Sequence, residues 1–405
     1  MKKIVFVAPY FMDATARFID AAASVPGSRV GLVSCDPSTK LPPEIRKKLA
    51  AHYAVNDVSP AELMRGVKLI GDELGGIDRV IGMLEQIQVT LGEIRDQLQI
   101  PGMGATAANH FRDKAVMKSV LRDAGIPCAK HHRATSIESG HDFSKQIGFP
   151  LIVKPPDGAG AQGTFRCENP EQLDECLHAA RPTDQNPTVI EEFIVGKEHS
   201  FDSICLNGKM IWSSISHYSP GPLEVVREPW IQWCVMIPRE SDLPSYGPVK
   251  EIAQSALSAL GMQTGLSHME WFLRPDGSVA ISEVGCRPPG AQFTSLISWA
   301  HDFDLYEAWA KVLIHEQFEI PARKYAAGAA YLRGMGQGRV AAVHGLQEIA
   351  ESLGSLVVEA KIPQPGQTPT GSYEGEGHII VRHPDSSVVE NALKKIVSTI
   401  KVDLK

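Results

Sequence analysis

One lysine and three glycines lie close together near the middle of the chain, in a pattern that suits phosphate binding. The apolar run 149–153 ends at Lys154, and a loop with Gly158, Gly160 and Gly163 follows two prolines. Because glycine has no Cβ, the backbone N–H groups of such a loop can approach phosphate oxygens closely. The lysine adds a fixed positive charge for the same phosphates. Taken alone, the loop also fits a mobile surface hairpin without chemistry.

The same glycines spell G-x-G-x-x-G, the dinucleotide-binding pattern, which requires a helix to begin at the last glycine. Here Gly163 is followed by the β-prone run 164–167, and helical periodicity begins only near Pro170. The loop is therefore expected to join two strands, and the dinucleotide interpretation is rejected for this stretch.

Two glutamates further along the chain are placed to hold a cation. Glu270 and Glu283 lie on the two arms of a predicted hairpin that turns at residues 275–277, which makes them cross-strand neighbours. Facing carboxylates repel each other unless a cation lies between them, and hard oxygen ligands suit Mg²⁺. Two acids on a solvated strand face are the alternative, but the adjacent Trp271 and Phe272 argue for burial.

Arg287 follows Glu283 by four residues, which would bring its guanidinium to the mouth of the same site. A guanidinium there can clamp a carboxylate or a phosphate, or stabilise charge on a transferring phosphoryl group. A salt bridge to Glu283 is the simpler alternative. Lys114, beside Asp113 in a predicted helix, has the ordinary alternative of a solvated lysine.

The composition excludes several other classes of protein. The chain has 405 residues, 43% of them hydrophobic, and a net charge of −7, which argues against a nucleic-acid-binding surface. Its seven cysteines form no C-x-x-C pair, so we expect reduced thiols in the cytoplasm rather than disulfides or a zinc site. No apolar run approaches the ~18 residues of a membrane span, and residues 1–9 read as a first strand rather than a signal peptide.

Four units are expected to position these residues, since 405 residues are too many for one ordinary core. The predicted units are 1–105, 106–187, 188–320 and 321–405. The first alternates strands and helices, which implies a parallel sheet, and it has no nucleotide-binding signature of its own. In the next two units we expect one continuous helix at 109–124, hairpins about 207–208 and 275–277, and one long helix at 296–317.

The order of the motifs resembles the ATP-grasp superfamily of carboxylate–amine ligases, and most of all its L-amino-acid (dipeptide-forming) ligases. The motifs are Asp113-Lys114, 150–154 with the glycine loop, 191–198, His268-x-Glu270, and Glu283 to Gly290. They cover roughly residues 105–320. The resemblance implies an α/β and α+β multidomain ATP-grasp fold. A Rossmann-like pre-ATP-grasp domain would precede the small lid and catalytic subdomains, and an α/β lobe would follow them.

The resemblance also implies how ATP would be bound. Lys114 and Lys154 would hold its phosphates from two sides, and the 158–164 loop would fold over the triphosphate. The backbone of four consecutive residues would hydrogen-bond adenine: Glu191, Glu192, Phe193 and Ile194. Glu198 would bind the ribose hydroxyls.

By the same resemblance, Glu270 and Glu283 would hold Mg²⁺, with Mn²⁺ as an alternative. Arg287 and Lys154 would be the catalytic groups. Many members have Asn where this chain has Gly285, which leaves the third protein ligand of a second metal open. The candidate substrate-binding residues are His268, Arg287, Tyr218, Arg227 and Trp230. The irregular segment 217–248 around the last three would favour an apolar or aromatic amino acid, although packing against the lid explains its aromatic residues equally well.

The implied reaction moves the γ-phosphoryl group of ATP onto a carboxylate. An amine then attacks the acyl phosphate, so that an amide bond forms and ADP and phosphate leave. The partners would be a small carboxylate, with an amino acid expected, and an amine; homodimers are common in the superfamily. Two alternatives stay open: a ligase of purine or cofactor synthesis that acts on a phosphorylated substrate, and an ATP-binding module without ligase activity.

Overall fold

The computed structural model describes residues 1–158, 160, 163–228, 230–240 and 246–405. Its N-terminal region is a parallel sheet in the order β3-β2-β1-β4 with helices packed against it. The elements are β1 (Lys2–Val7), α1 (Asp13–Ser24), β2 (Ser28–Ser34), α2 (Pro43–Arg46), β3 (Ala51–Ala54), α3 (Pro60–Leu74), β4 (Arg79–Ile81) and α4 (Gln88–Leu98). Two short 3₁₀ turns lie at Ser38–Lys40 and Glu85–Ile87. The predicted alternation of strands and helices is confirmed here.

The next region contains a small antiparallel sheet in the order β5-β8-β6-β7. Its elements are α5 (Ala105–Arg112), α6 (Lys114–Asp123), β5 (His131–Ala134), α7 (Ile137–Ile147), β6 (Leu151–Lys154), β7 (Phe165–Cys167), α8 (Pro170–Ala180) and β8 (Thr188–Glu192). The glycine loop joins β6 to β7, two antiparallel strands, as the rejection of the dinucleotide pattern required. Since β8 pairs with β6, the small sheet extends past the predicted boundary at 187.

The single helix predicted at 109–124 is wrong. The helix is interrupted at Asp113, whose side chain accepts hydrogen bonds from the N–H groups of Ala115 and Val116 at 2.9 and 3.0 Å. An aspartate in this position caps the N-terminus of a new helix, which begins at Lys114. Because Lys114 is only 5% exposed, the alternative of a solvated lysine is wrong as well.

The largest sheet has eight antiparallel strands in the order β13-β12-β9-β10-β11-β14-β18-β17. The elements up to residue 320 are β9 (Lys197–Leu206), β10 (Lys209–Ser219), α9 (Pro222–Arg227), β11 (Cys234–Ile237), α10 (Gly247–Leu260), β12 (Gly265–Leu273), β13 (Val279–Gly285), α11 (Phe293–His301) and α12 (Leu305–His315). The predicted turn between β9 and β10 is confirmed: Asn207 and Gly208 both have positive φ, 50° and 81°.

The C-terminal region continues this sheet and adds a separate three-stranded sheet, β15-β19-β16. Its elements are β14 (Ala326–Leu332), β15 (Gly334–Gly336), β16 (Val340–His344), α13 (Leu346–Leu353), β17 (Val357–Lys361), β18 (Gly377–His383), α14 (Ser386–Thr399) and β19 (Lys401–Leu404). Since β14 pairs with β11 along Cys234–Ile237, the sheet itself crosses the predicted boundary at 320.

The long helix predicted at 296–317 is also wrong, because α11 and α12 are separate. Asp302 has a left-handed φ of 58°, and Asp304 caps α12 by accepting from the N–H groups of Tyr306 and Glu307. α12 then packs against the N-terminal region, where the ring of Trp309 lies 4.9 Å from that of Phe18. No helix within the described ranges is long and apolar enough to cross a membrane.

Candidate active site

A cleft with about 1340 Å³ of empty volume, open solvent included, lies between the small sheet and the end of the large sheet that β12 and β13 form. Most of the predicted site residues line it: Lys114, Lys154, Gly158, Gly160, Glu191, Glu192, Phe193, Ile194, Glu198, Tyr218, His268, Glu270, Glu283 and Arg287. Gly163, Arg227 and Trp230 do not. The cleft thus brings together predicted site residues that are up to 173 positions apart in the sequence.

Each of the two predicted phosphate lysines already has a carboxylate partner. Lys154 Nζ lies 3.0 Å from Glu191 Oε2, and Lys114 Nζ lies 3.0 Å from Glu283 Oε1. Lys114 Nζ also donates to the carbonyl of Gly158 at 2.5 Å, which ties this lysine to the start of the glycine loop. The two ammonium groups are therefore held in place before any phosphate is bound.

A third lysine, Lys118, was not predicted from the sequence. Its side chain is fully buried, with Nζ 3.4 Å from Glu191 Oε1 and 2.6 Å from the carbonyl of Ser282. One signal could have found it: Lys118 follows Lys114 by four residues, so both lie on one face of α6. Glu191 thus has a buried side chain between two lysines, in addition to the predicted role of its backbone. Burial raises the pKa of Glu191, but Lys118 and Lys154 outweigh it and lower the pKa below its usual value.

The predicted pairing of Glu270 with Glu283 is confirmed, although the hairpin is not regular. Trp271 pairs with Ile281, so Ser282 is an extra residue that forms a bulge between the two pairs. Burial and then the charge of Glu283 raise the pKa of Glu270. Burial also raises the pKa of Glu283, but Lys114 and Lys154 outweigh it, and the net pKa of Glu283 is lowered.

Glu198 faces the same acidic surroundings from β9. Burial first, and the charge of Glu270 second, raise the pKa of Glu198 to about 8. Within the described part of the chain, no group of three His, Cys, Asp or Glu side chains is arranged to hold a metal. Two adjacent glutamates whose repulsion a cation would relieve do fit Mg²⁺, provided that phosphates and waters supply the remaining oxygens.

Arg287 pairs with a residue that the sequence did not indicate. Its Nε donates to the carboxylate of Glu85, which comes from the 3₁₀ turn of the N-terminal region, rather than to Glu283, the partner in the simpler alternative. Glu85 also faces Gly285, the position of the missing Asn, where a Cβ would lie 3.8 Å from Glu85 Oε2. A contact that spans 202 positions leaves no local pattern, so sequence spacing could not reveal it.

His268 is oriented by a second buried acid. Its Nδ1 lies 2.8 Å from Asp202 Oδ1, and its Nε2 lies 3.9 Å from Glu270 Oε1. Burial lowers the pKa of His268, but the Asp202 carboxylate outweighs it, so that the net pKa is raised. Asp202 was not predicted; it lies opposite His268 in the β9–β12 pair, a position that the strand register could have indicated.

Aromatic side chains close the end of the cleft near His268 and Arg287. Tyr218, Trp233 and Phe293 form this end, and Tyr373 joins them from the C-terminal region, with its ring 4.6 Å from that of Trp233. Two predicted substrate residues lie elsewhere: Arg227 is exposed at the end of α9, and Trp230 is 62% exposed. The predicted segment 217–248 also contains residues 229 and 241–245, which lie outside the described residues.

Tyr373, missed from the sequence, also lies near the glycine loop. A Cβ built on Gly160, whose φ is 64°, would lie 3.6 Å from the Tyr373 ring. Three other loop residues, 159, 161 and 162, lie outside the described residues. The phenol therefore lies between the described part of the loop and the aromatic end of the cleft.

Comparison with known proteins agrees with this geometry. Residues 119–298 match the ATP-grasp domain family. An L-arginine-specific L-amino acid ligase of Bacillus subtilis is 24% identical over 268 residues, which make up 65% of this chain and 64% of the relative. A D-alanine–D-alanine ligase of Geobacillus thermodenitrificans is 28% identical over 236 residues, 52% of this chain and 61% of the relative.

Among solved structures, an L-amino acid ligase from Bacillus licheniformis superimposes with a TM-score of 0.80 at 19% identity, covering 100% of this chain and 99% of the other. At that identity the likeness shows the fold. The chain matches less than two thirds of the length of the two sequence relatives.

Proposed function

We propose that this chain, whose residues 119–298 form an ATP-grasp domain, is an ATP- and Mg²⁺-dependent ligase that joins a carboxylate to an amine. The observation that carries the proposal is one cleft in which buried lysines face a pair of cross-strand glutamates. Buried charges of both signs, arranged around an open space, are suited to a ligand that is itself a polyanion with bound cations. A metal–triphosphate has this chemistry.

Lys114 and Lys154 would contact the phosphates, because both ammonium groups line the cleft at fixed positions. Glu270 and Glu283 would hold the Mg²⁺, which when bound neutralises phosphate charge during transfer. As the phosphates approach, Lys114 would shift its pairing from Glu283 to them, and this leaves the Glu283 carboxylate available as a ligand. Adenine would lie against the backbone of residues 191–194, with Glu198 near the ribose.

The acid substrate would lie near Arg287 and His268, beyond the position of the γ-phosphate. A carboxylate is a poor electrophile, so transfer of the γ-phosphoryl group to its oxygen creates a leaving group, phosphate, which the amine then displaces. Arg287 would stabilise the negative charge that develops on the transferring group. For this role it must release Glu85 or share its guanidinium between Glu85 and the substrate.

The aromatic end of the cleft supports an amino acid with an apolar side chain as the acid. Tyr218, Trp233 and Phe293 would surround that side chain with apolar surface. The Tyr373 ring, which lies near Gly160, would help the glycine loop to close over the phosphates and keep water from the acyl phosphate.

The test is product analysis with purified protein, Mg²⁺, ATP and mixtures of amino acids. We expect release of ADP and phosphate that depends on both an acid and an amine, with a new amide product detected by mass spectrometry. AMP with pyrophosphate would contradict the acyl-phosphate mechanism. Binding of ATP with Mg²⁺ but no turnover on any acid would favour the ATP-binding module.

A ligase of purine or cofactor synthesis is separated from this proposal by its substrate. Such an enzyme would be inactive on free amino acids and would require a phosphorylated acceptor. Parallel assays of amino acids and sugar-phosphate amines, each read by phosphate release, decide between the two. The homodimer and the cytoplasmic location stay predictions.

A further inference from the structure

Lys118 lies behind the surface of the cleft, where the small sheet, the large sheet and α6 meet. Its side chain has 0% exposure, and its ammonium group reaches both sheets. We propose that Lys118 is a positioning residue that holds the lysine side and the glutamate side of the cleft in fixed positions relative to each other. It would do so by fixing the Ser282 bulge and the Glu191 carboxylate, without touching the nucleotide or the metal.

The bulge decides which way Glu283 points. From Trp271–Ile281 to Leu273–Val279 the hairpin has one register, and in that register Glu270 would pair with Ser282. Because side chains alternate between the two faces of a strand, Glu283 would then lie on the face opposite to Glu270. The extra residue, Ser282, moves Glu283 onto the face of Glu270. The glutamate pair therefore exists only while the bulge is kept.

Lys118 holds this bulge at its backbone. A bulge residue loses part of its normal ladder pairing, and its polar groups need another partner. The ammonium group of Lys118 donates to the Ser282 carbonyl at 2.6 Å, which is a charge-assisted hydrogen bond. The preceding residue of α6, Met117, lies against the other side of the bulge, with its sulfur 3.2 Å from the N–H of Val284.

The same ammonium group reaches the phosphate-binding side. Lys118 Nζ lies 3.4 Å from one oxygen of Glu191, and Lys154 Nζ lies 3.0 Å from the other. The carboxylate of Glu191 is thus shared by a lysine that faces the cleft and one that does not. Because Lys118 fixes the Glu191 carboxylate, it restricts the positions that Lys154 can take. Lys118 thus connects the lysines of the cleft with the glutamates.

This inference rests on the proposed function, in which Glu270 and Glu283 hold the metal of a metal–nucleotide. Its test is therefore a binding measurement. Mn²⁺ binding in the presence of ATP is followed by electron paramagnetic resonance, and adenosine binding is measured separately by calorimetry. For Lys118→Met we expect Mn²⁺ affinity to fall about 10- to 100-fold, the usual effect of removing a group that orients a metal ligand. Adenosine affinity should stay within about twofold, because adenine would contact the backbone of residues 191–194, which the pairing of β8 with β5 and β6 holds without Lys118.

The matched control is Arg95→Met, which removes another buried cation that holds backbone carbonyls, those of Val80 and Met103. It should lower thermal stability but leave Mn²⁺ affinity unchanged. Folded Lys118→Met protein with wild-type Mn²⁺ affinity would overturn the inference, and so would an equal loss in Arg95→Met.

If Lys118→Met does not fold, Lys118→Gln takes its place, since a glutamine amide can still donate to Ser282 but cannot pair with Glu191 as a cation. We expect Mn²⁺ affinity below that of wild type, and wild-type affinity in this variant would overturn the inference. Wild-type protein that binds no Mn²⁺ with ATP would count against the proposed function itself. Normal wild-type binding with unaffected Lys118 variants would count against this inference alone.

Discussion

The two charged sides of the cleft differ in how completely their charges are neutralised within the protein. On the lysine side, Lys154 is paired with Glu191 and Lys114 with Glu283, at 3.0 Å each. On the glutamate side, the carboxylate of Glu270 lies 3.9 Å from Nε2 of His268, which carries a charge only when it is protonated. The lysine charges are therefore neutralised within the protein, whereas the negative charge of Glu270 is not.

The pKa values follow this difference. Glu191 and Glu283, which have lysine partners, have lowered pKa values, while those of Glu270 and Glu198 are raised. All four carboxylates are in low-dielectric surroundings, so burial raises every pKa and the partner decides the net sign. The comparison supports the proposal that a bound cation would complete the site on the side of Glu270 and Glu198.

The largest effect is expected where that cation would bind. Glu270→Gln removes one of the two carboxylates proposed to hold the metal, so kcat should fall about 10³-fold, at the upper end for a single electrostatic group. Phosphate release at saturating ATP measures it. The matched control is Glu348→Gln, a glutamate on α13 whose side chain is 63% exposed and which should behave as wild type. A fall in kcat of less than tenfold for Glu270→Gln would contradict the proposal that this side of the cleft needs a bound cation.

Lys154→Met should have a smaller effect. Lys114 remains on the opposite side of the phosphates, and Lys118 still neutralises Glu191, so we expect a loss of about 100-fold in kcat/KM. The control is Lys209→Met, at the exposed start of β10. The comparison between the two sides would be reversed if Lys154→Met lost more activity than Glu270→Gln.

Tyr373→Ala tests whether the ring near the glycine loop supports closure of the cleft. Without the ring, which packs against Trp233 and lies near Gly160, kcat should fall about tenfold through incomplete closure. Tyr373→Phe, which keeps the ring, should stay within about threefold of wild type. The affinity for adenosine is measured as well. If kcat and adenosine affinity fall equally, Tyr373 has only a structural role.

The raised pKa of Glu198 predicts that the stability of the ligand-free protein depends on pH. Its folded pKa of about 8 lies above its ordinary value of 4.5, so the folded protein keeps a proton that the unfolded chain has lost. The free energy of unfolding should therefore fall as the pH rises from about 5 to about 8. Urea unfolding at several pH values measures the slope, and Glu198→Gln should reduce it. An unchanged slope would show that Glu198 is ionised in the folded protein.

The smallest effect is expected for Trp230→Ala. Trp230 was predicted to bind substrate, but it is 62% exposed and does not line the cleft, so KM for the acid should change less than about twofold. Trp233→Ala, at a buried aromatic position of the cleft, is the matched comparison and should raise KM clearly. Equal effects of the two changes would restore the original prediction for this segment.

The sequence predicted most of the fold, because its signals were local. The ATP-grasp fold, inferred from five ordered motifs, is confirmed, and so is the antiparallel connection at the glycine loop. The two helices predicted as continuous were wrong because apolar periodicity ran past Asp113 and Asp304, whose capping role depends on backbone geometry.

The site was predicted as far as the motifs reach. The pairing of Glu270 with Glu283 followed from one hairpin, although its bulge could not be read from the turn. Glu85 and Tyr373 come from regions that meet the cleft only through tertiary packing, so no spacing in the chain could reveal them. The roles proposed for individual residues stay predictions until the variants are measured.

The pairing of β11 with β14 has a consequence for protein engineering. Cutting the chain at the predicted boundary near residue 320 would leave Cys234–Ile237 as an open sheet edge and remove Tyr373 from the cleft. The C-terminal region is therefore not an exchangeable module. A chimera between this chain and a related ligase should carry β11, β14 and β18 from the same parent, so that one continuous set of backbone hydrogen bonds is inherited intact.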